Sequence, residues 1–533
     1  MDVMRSIIDR DIVRLENIPG REDSIRALKS RRNELSPISC LPAEILCYIF
    51  SLSRRLGWYP YLIYWTNCSQ VSRHWRLLAL SGTELWTNIP VFNPLWAKEM
   101  LTRSKMAKLT IRNYGSNLKS KTIKTTRSCL YEMNRVEEID LTDLRRPILE
   151  EIFRDLPKSA PQLRTLRISS CYGTAFSIHE DFLYDTERLQ HVELNNCKIS
   201  WDSRLLTGLT RLTLHYLKKA NFSIDQFLHA LERMPALIEL DLQDSIPDES
   251  EGPSTYPDVD LPCLRELDIL SRVGALTTVL RHITFPNSAI LRLTCVETRS
   301  SQIDFSNFFF VLATKFLSSL VIRSLSVRSH LELDGSQLLK FYLWTTPTTQ
   351  DCLFFETSHY QSRLVLIWPS WFSKQHGKVL TCAFDAMSLP FLTVTQLHIS
   401  TIHHIDDSQI WVKTFGKLPL LERVCVHSLV TPEFLEALVY KSKAAEKSNT
   451  AYRNVSFRKL RYLYLRGTDF DSTWFDQILD CVMERCERNA ELQVLRLDRR
   501  YQILRKDLER LKEIVVDVIW DGEDSADVVS SSD

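Results

Sequence analysis

The sequence predicts an α/β protein in two parts: a small helical module near the N-terminus, then a long array in which short strands alternate with helices. Three observations predict it. A leucine-spaced frame recurs ten times beyond about residue 105, amphipathic stretches lie between its copies, and the segment before residue 90 carries helical periodicity instead. At 533 residues the chain is too long for one ordinary core, so several domains or a repeat array is expected.

The segment 1–34 reads as helical. Ile8, Ile12 and Leu15 line one face, Pro19-Gly20 breaks the pattern, and Ile25, Leu28 and Leu35 form a second stripe. Neither stripe is long enough for a coiled coil, so a helical pair packed on its own protein is expected. Residues 35–90 follow as a compact module. Pro42 suits the first turn of a helix, Glu44 complements the helix dipole, and Ile45, Leu46, Ile49 and Phe50 give a strongly apolar face. After an aromatic connection, Trp58 to Tyr61, a second helix carries Val71, Trp75, Leu78 and Ala79 on one side, and Leu85, Trp86 and Ile89 close the unit. So small a bundle exposes more large apolar surface than it can bury, which calls for something packed upon it.

Three blocks in this module, LSPISCLPAEILCYIF (35–50), CSQVSRHWRLLAL (68–80) and ELWTNI (84–89), match in order and spacing and resemble the F-box of a large fungal family. The departure is the Trp- and Tyr-rich connection from Ser51 to Asn67. The resemblance implies docking on a Skp-type adaptor, and through it on a cullin–RING ubiquitin ligase. Carried over by position, Leu41, Pro42, Ile45, Leu46, Ile49, Val71, Trp75 and Trp86 would form or support that contact. Trp75, Val71 and Phe50 are equally open to a role in the module's own core.

The array spans 105–520. LRTLRISSC (163–171) and LQHVELNNC (189–197) fit LxxLxLxxN/C, the strand of a leucine-rich repeat. The frame recurs from Val136, Leu209, Leu237, Leu264, Val394, Leu421, Leu460 and Leu492, at roughly 20 to 28 residues where clearest. The expected architecture is an irregular leucine-rich-repeat solenoid, a parallel strand row with helices on its convex side. Between about 271 and 388 the frame blurs, although strand-like runs such as LVIRSLSVRS and VLTCAFDAM continue. Pro247 to Pro262 reads as a surface loop, and 521–533 as a disordered acidic tail. Together the parts resemble an F-box protein with leucine-rich repeats.

Strand side chains alternate, so the positions between the leucines face away from the core. They include Arg167, His191 and Glu193, then Arg211, then Glu239, Asp241, Glu266 and Asp268, then His398, Arg423, His427, Tyr462, Tyr464, Arg466 and Arg496. The reading is a banded face: basic early, acidic in the middle, basic and aromatic at the end. Such a face suits a protein substrate of complementary charge order. Tyr462, Tyr464 and Arg466 stand out because Tyr and Arg are enriched at interface hot spots. Cys171 and Cys197 fall at the N/C position, where structural burial is favoured over metal ligation.

Other classes fit poorly. The net charge of +1 argues against a nucleic-acid or membrane-surface binder, and 13 glycines include no GxGxxG or GxxxxGK[ST] run. Thirteen cysteines without CxxC pairs read as reduced, and the N-terminus has no apolar signal region, so a cytoplasmic or nuclear protein is expected. Phe308 to Val327 is interrupted by Lys315 and Arg323 and reads as buried helix plus strand, not a membrane span. His403-His404 with Asp406-Asp407 is the nearest approach to a metal cluster, and no catalytic motif accompanies it. No enzyme, cofactor or metal is expected. The alternative to a ligase adaptor is a repeat scaffold whose N-terminal helices merely cap the array.

Overall fold

The computed structural model describes residues 2–55, 64–171, 173, 175–217, 223–247, 256–296, 305–331, 337–347, 362–370, 374–400, 407–427, 432–440, 456–466, 472–497 and 505–520. The chain folds into two compact units, residues 1–209 with 216–220, and residues 210–215 with 221–533.

The first unit opens with helices α1 (Asp2–Glu16) and α2 (Glu22–Glu34), which pack on each other. Gly20 takes φ +81° in the turn between them, a conformation that a side chain would strain. Ile8 and Ile12 are buried, and Asp9–Arg32 and Glu16–Lys29 ion pairs tie the two helices. Helices α3 (Ala43–Arg55), α4 (Cys68–Val71) and α5 (Arg73–Ser81) follow, with a short 3-10 turn at Thr83–Trp86.

A parallel sheet completes this unit: β1 (Asn88–Pro90), β2 (Leu109–Tyr114), β3 (Val136–Leu144), β4 (Thr165–Ser170) and β6 (His191–Asn195), paired in that order. β5 (Phe176–Ile178) and β7 (Cys197–Ile199) form a second small ladder. α6 (Pro94–Ser104), α7 (Ser120–Leu130) and α8 (Arg146–Phe153) lie in the connections, each packed on the next.

The second unit carries β8 (Arg211–His215), β9 (Glu239–Gln243), β10 (Val259–Asp260), β11 (Glu266–Arg272), β12 (Ile283–Thr284), β13 (Ile290–Val296), β14 (Ser324–Leu331), β15 (Gln337–Trp344), β16 (Leu364–Ser370), β17 (Gln396–Ser400), β18 (Arg423–His427), β19 (Tyr462–Arg466), β20 (Val494–Leu497) and β21 (Asp517–Trp520). Neighbours across its sheet run β8, β9, β11, β13, β16, β15, β14, β17, β18, β19, β20, β21. Among the described strands only β15 runs antiparallel to both its neighbours. β10 and β12 pair separately.

All ten copies of the leucine frame lie on these strands, and their leucines are the core. Leu163, Leu166 and Ile168 are fully buried, as are Leu237 and Leu242, with Leu240 nearly so. Each such side chain contributes about 1.5–3 kcal/mol by leaving water. The helices between strands are fixed locally as well. Ser223 accepts from Gln226 N while Gln226 returns a bond to Ser223 N, a capping box that starts the helix Ile224–Glu232. Two buried arginines staple loops to the core: Arg135 donates to Ala107 O at 3.0 Å, and Arg485 to Leu438 O at 2.8 Å and Phe457 O at 3.0 Å.

The blurred region 271–388 has a topological cause. β16 is third in chain order after β13 yet lies beside it, and β15 enters between β16 and β14 in the reverse direction. A reversed strand carries its apolar positions in reversed order, so a forward frame does not register it. The run VLTCAFDAM is helical as far as Ala386, the end of the helix Lys374–Ala386, rather than strand. Val379, Leu380, Ala383, Phe384 and Met387 are buried at helical spacing, and that period overrides the β-branched start. The run LVIRSLSVRS does lead into β14, and Phe308 to Val327 is helix, then a π-turn at Leu312–Leu317, then strand. Of the expected loop Pro247 to Pro262, residues 248–255 lie outside the described residues; Val259 and Leu261 are buried, Val259 within β10. The tail 521–533 also lies outside them.

Candidate docking and recognition surfaces

The helical module presents one face of α3. Ile45 and Leu46 both donate to Pro42 O at 3.1 Å, so the proline sits at the entry of the helix. Leu46 and Phe50, four residues apart, are fully buried, whereas Ile45, Tyr48 and Leu52 lie at spacings of three and four on the other side and are 46%, 58% and 39% exposed. Ile49 is half-buried, Leu41 half-buried and Pro42 exposed. Val71 and Leu77, on α4 and α5, are also exposed. Three large apolar side chains in one solvent-facing stripe cost the isolated module free energy and favour a partner.

Two expected contact residues belong inside the module. Leu46 is fully buried, and Trp86 is 4% exposed. Trp86 Nε1 donates to Ala79 O at 2.8 Å, its ring meets Trp65 edge-on at 5.0 Å, and the Arg103 guanidinium lies 4.8 Å from it. A ring so enclosed holds α5 against the following turn and offers a partner nothing. Trp75 is intermediate: its ring lies 5.0 Å from Phe50, and Ser72 Oγ caps its backbone N–H. Tyr48, Leu52 and Leu77 were not expected at this face, although the 45–48–52 spacing marks the first two.

The sheet of the first unit carries a closed charge network. Register sets Arg112, Asp140, Arg167 and Glu193 in one row over β2, β3, β4 and β6, with Glu138 and His191 in the neighbouring row. Glu138 receives both Arg112, at 3.0 Å to each oxygen, and Arg167 at 2.6 Å. Arg167 also reaches Glu193 at 3.1 Å and His191 Nδ1 at 3.2 Å, and Tyr114 donates to Asp140 at 2.9 Å. Burial, above all, holds the Asp140 carboxyl above its ordinary range, against the lowering effect of Tyr114, Arg167 and Arg112. The expected basic start of the face is therefore corrected: Glu138 and Asp140, readable from the VEEIDL frame, neutralise its arginines. Cys197 is buried with Sγ near Asn195 O at 3.4 Å, and burial pushes its thiol up to about 12, as befits a structural side chain; Cys171 is half-buried.

The second unit sorts its charges. On β8 to β13, Glu239, Asp241, Glu266 and Asp268 share the face with Arg211, His215 and Arg292. Arg211 pairs with Glu239 at 3.1 Å, His215 with Asp241 at 3.0 Å and Arg292 with Glu266 at 3.2 Å. Burial and the adjacent Asp241 raise the Asp268 carboxyl to about 6. Next along the same face come Val365, Tyr342 and Trp344, a buried apolar cluster joined by Ile367. Beyond it, β14, β17, β18, β19 and β20 contain no aspartate or glutamate.

Register on those last strands places Arg328, Ser400, His427 and Arg466 in one row, and Ser326, His398, Cys425, Tyr464 and Arg496 in the next. Arg328 lies over the Tyr342 ring at 5.4 Å and donates to Ser326 Oγ at 3.1 Å. Arg423 lies over Tyr462 at 5.2 Å and Arg496 over Tyr464 at 4.8 Å. Ser326 Oγ meets His398 Nδ1 at 3.2 Å, and Ser400 Oγ meets His427 Nδ1 at 3.3 Å. His398 and Tyr464, expected as surface contacts, are buried at 4% exposure each, in the row beneath neighbouring arginines; Tyr462, His427 and Arg466 are half-buried and Arg423 is exposed. Burial, then Arg328, His427 and Arg466, depress the His398 imidazole to about 3. Lys340, Tyr342 and Trp344 were missed because β15 is reversed, whereas Arg328 follows Ile322-x-x-Leu325-x-Val327, a legible copy of the frame whose three apolar residues are buried.

Among the described residues no cluster of three His, Cys, Asp or Glu side chains could hold a metal ion, and no helix is long and apolar enough to cross a membrane. His403, His404 and Asp406 lie outside the described residues. No curated protein matches the chain. A family model described as F-box-like matches residues 38–89, the segment that holds α3, α4, α5 and the turn to Trp86. Residues 38–89 are thus an F-box-like domain.

Proposed function

We propose that this chain is a substrate-recognition adaptor of an SCF-type cullin–RING ubiquitin ligase, acting without catalysis of its own in the cytoplasm or nucleus. The F-box-like domain docks a Skp-type adaptor, and through it a cullin, while the strand face of a leucine-rich-repeat solenoid holds a protein substrate. The observation that carries this reading is the exposed Ile45–Tyr48–Leu52 stripe on the F-box-like domain. The LxxLxL frames on parallel strands support the repeat assignment, and the three-block match supports kinship with fungal F-box proteins. Function by proximity follows: two binding events on one chain raise the effective concentration of substrate near an enzyme bound elsewhere.

Trp86 and its packing on Arg103 favour a second reading, in which the module only caps a protein-interaction scaffold unrelated to ubiquitination. Co-precipitation with a Skp-type adaptor separates the two. The intact chain is expected to bind at micromolar concentration or better, and Ile45→Asp with Tyr48→Ala to reduce binding at least tenfold while leaving the melting temperature nearly unchanged, since both side chains are exposed. No binding by the intact chain sinks the ligase reading; unchanged binding by the variant sinks this face.

A further inference from the structure

The first unit holds a cavity that belongs neither to the F-box-like domain nor to the outward rows of its sheet. Its volume is 390 Å³, and it lies between the end of α8, residues 154–158, β5 and residues 179–183. The floor is aromatic. Phe153 lies 6.0 Å from Phe176, stacked at 29°, and 4.7 Å from Phe182, while Phe176 and Phe182 meet edge-on at 5.9 Å. Phe176 is buried like any core side chain, but Phe153 and Phe182 are only half-buried. Two rings that the chain could cover and does not are apolar surface in want of a partner.

The rim is charged and unbalanced. Arg146 pairs with Glu150 at 2.7 Å and Lys158 with Asp181, which uses both carboxylates that line the cavity. Lys158 also holds the Asp181 carboxyl below its ordinary range. The third cation, Arg154, is exposed and forms no ion pair among the described residues. It is therefore available to a carboxylate from outside, which a guanidinium receives through two parallel N–H donors.

Three features favour a polypeptide as the occupant. An apolar centre ringed by polar side chains is the form of a protein-interaction hot spot. The volume is near the lower bound for pockets that enclose a whole small molecule, about 300 Å³, and suits one ring and the backbone that carries it. Ser177 brings β5 to the cavity wall, and among the described strands β5 pairs only with β7, so one of its edges has no strand beside it. An extended segment can lie along such an edge while its side chain enters a pocket.

We propose that this cavity docks a segment of a partner protein, an aromatic side chain entering against Phe153 and Phe182 and an acidic residue beside it pairing with Arg154. The entering ring meets the three already present edge to face, the arrangement aromatic side chains prefer. Neither the Skp-type adaptor nor a substrate on the strand face takes part, so the site stands or falls apart from the ligase reading.

The test uses the full chain on beads and degenerate heptapeptide pools with a fixed central pair: Trp-Asp, Ala-Asp or Trp-Lys. Retention of the Trp-Asp pool is expected to exceed that of either other pool by about tenfold. Arg154→Glu should lower Trp-Asp retention about tenfold and bring Trp-Lys above it, a reversal that a misfolded chain does not produce. Phe182→Ala should lower Trp-Asp retention as well. Equal retention of the Trp-Asp and Ala-Asp pools overturns the proposal, as does a charge preference that Arg154→Glu leaves unchanged. N-acetyltryptophan displacing the Trp-Asp pool at equal concentration also overturns it, since the cavity then takes a small aromatic acid and the polypeptide adds nothing.

Discussion

In the first unit Arg112, Glu138, Asp140, Arg167 and Glu193 alternate in sign over four adjacent strands and pair with one another within 2.6–3.8 Å. In the second, β14, β15, β17, β18, β19 and β20 carry arginine, lysine or histidine and no carboxylate. The two faces come from similar leucine frames and the same alternation of side chains, so the backbone does not explain the difference. Alternating charges are neutralised inside the chain and fix the register of the sheet. Segregated charges give a face of one sign, and such a face favours a partner of the opposite sign.

The largest expected effect tests the structural half of that contrast. Glu138→Gln leaves Arg112 and Arg167 facing each other without their shared carboxylate, and should lower stability by about 2–3 kcal/mol at neutral pH in denaturant titration. A change under about 0.5 kcal/mol would show the network to be a solvated surface.

The segregated bands should titrate in opposite senses. His398 binds its proton far less readily in the folded protein, so below the ordinary histidine range the unfolded chain takes up a proton that the native state refuses. Its contribution to stability is present above about pH 6.5 and is lost as pH falls toward 3. Replacing His398 with Gln should remove on the order of 2 kcal/mol of the loss between pH 6.5 and 4. An unchanged acid limb in the melting-temperature profile would break the assignment.

Asp268 works the other way and more weakly. Its carboxyl, raised to about 6, keeps its proton in the native state where the unfolded chain has released it. Stability from this group is present below about pH 4 and is lost as pH rises to 6. Asp268→Asn should therefore raise stability by about 1–2 kcal/mol at pH 7 and flatten the profile between pH 4 and 6. A drop in stability instead would mean that the contacts of Asp268 with Arg292 and His215 outweigh the repulsion from Asp241.

Much of this molecule is written locally. The leucine spacing determined which residues become strands and core, because period-two alternation leaves one buried row whatever the neighbours are. The Pro42 entry, the apolar helix after it and the break at Pro19-Gly20 likewise depend on residues a turn or two apart. Which polar residues meet did not follow from the sequence. Glu138 joins Arg112 to Arg167 across three strands, and Arg328 joins a row with Arg466 only because β14 lies beside β17, 72 residues on in the register. The reversed β15, the burial of Trp86, His398 and Tyr464, and the exposure of Tyr48 and Leu52 were likewise decided by packing, since accessibility depends on what the rest of the chain brings to the same place.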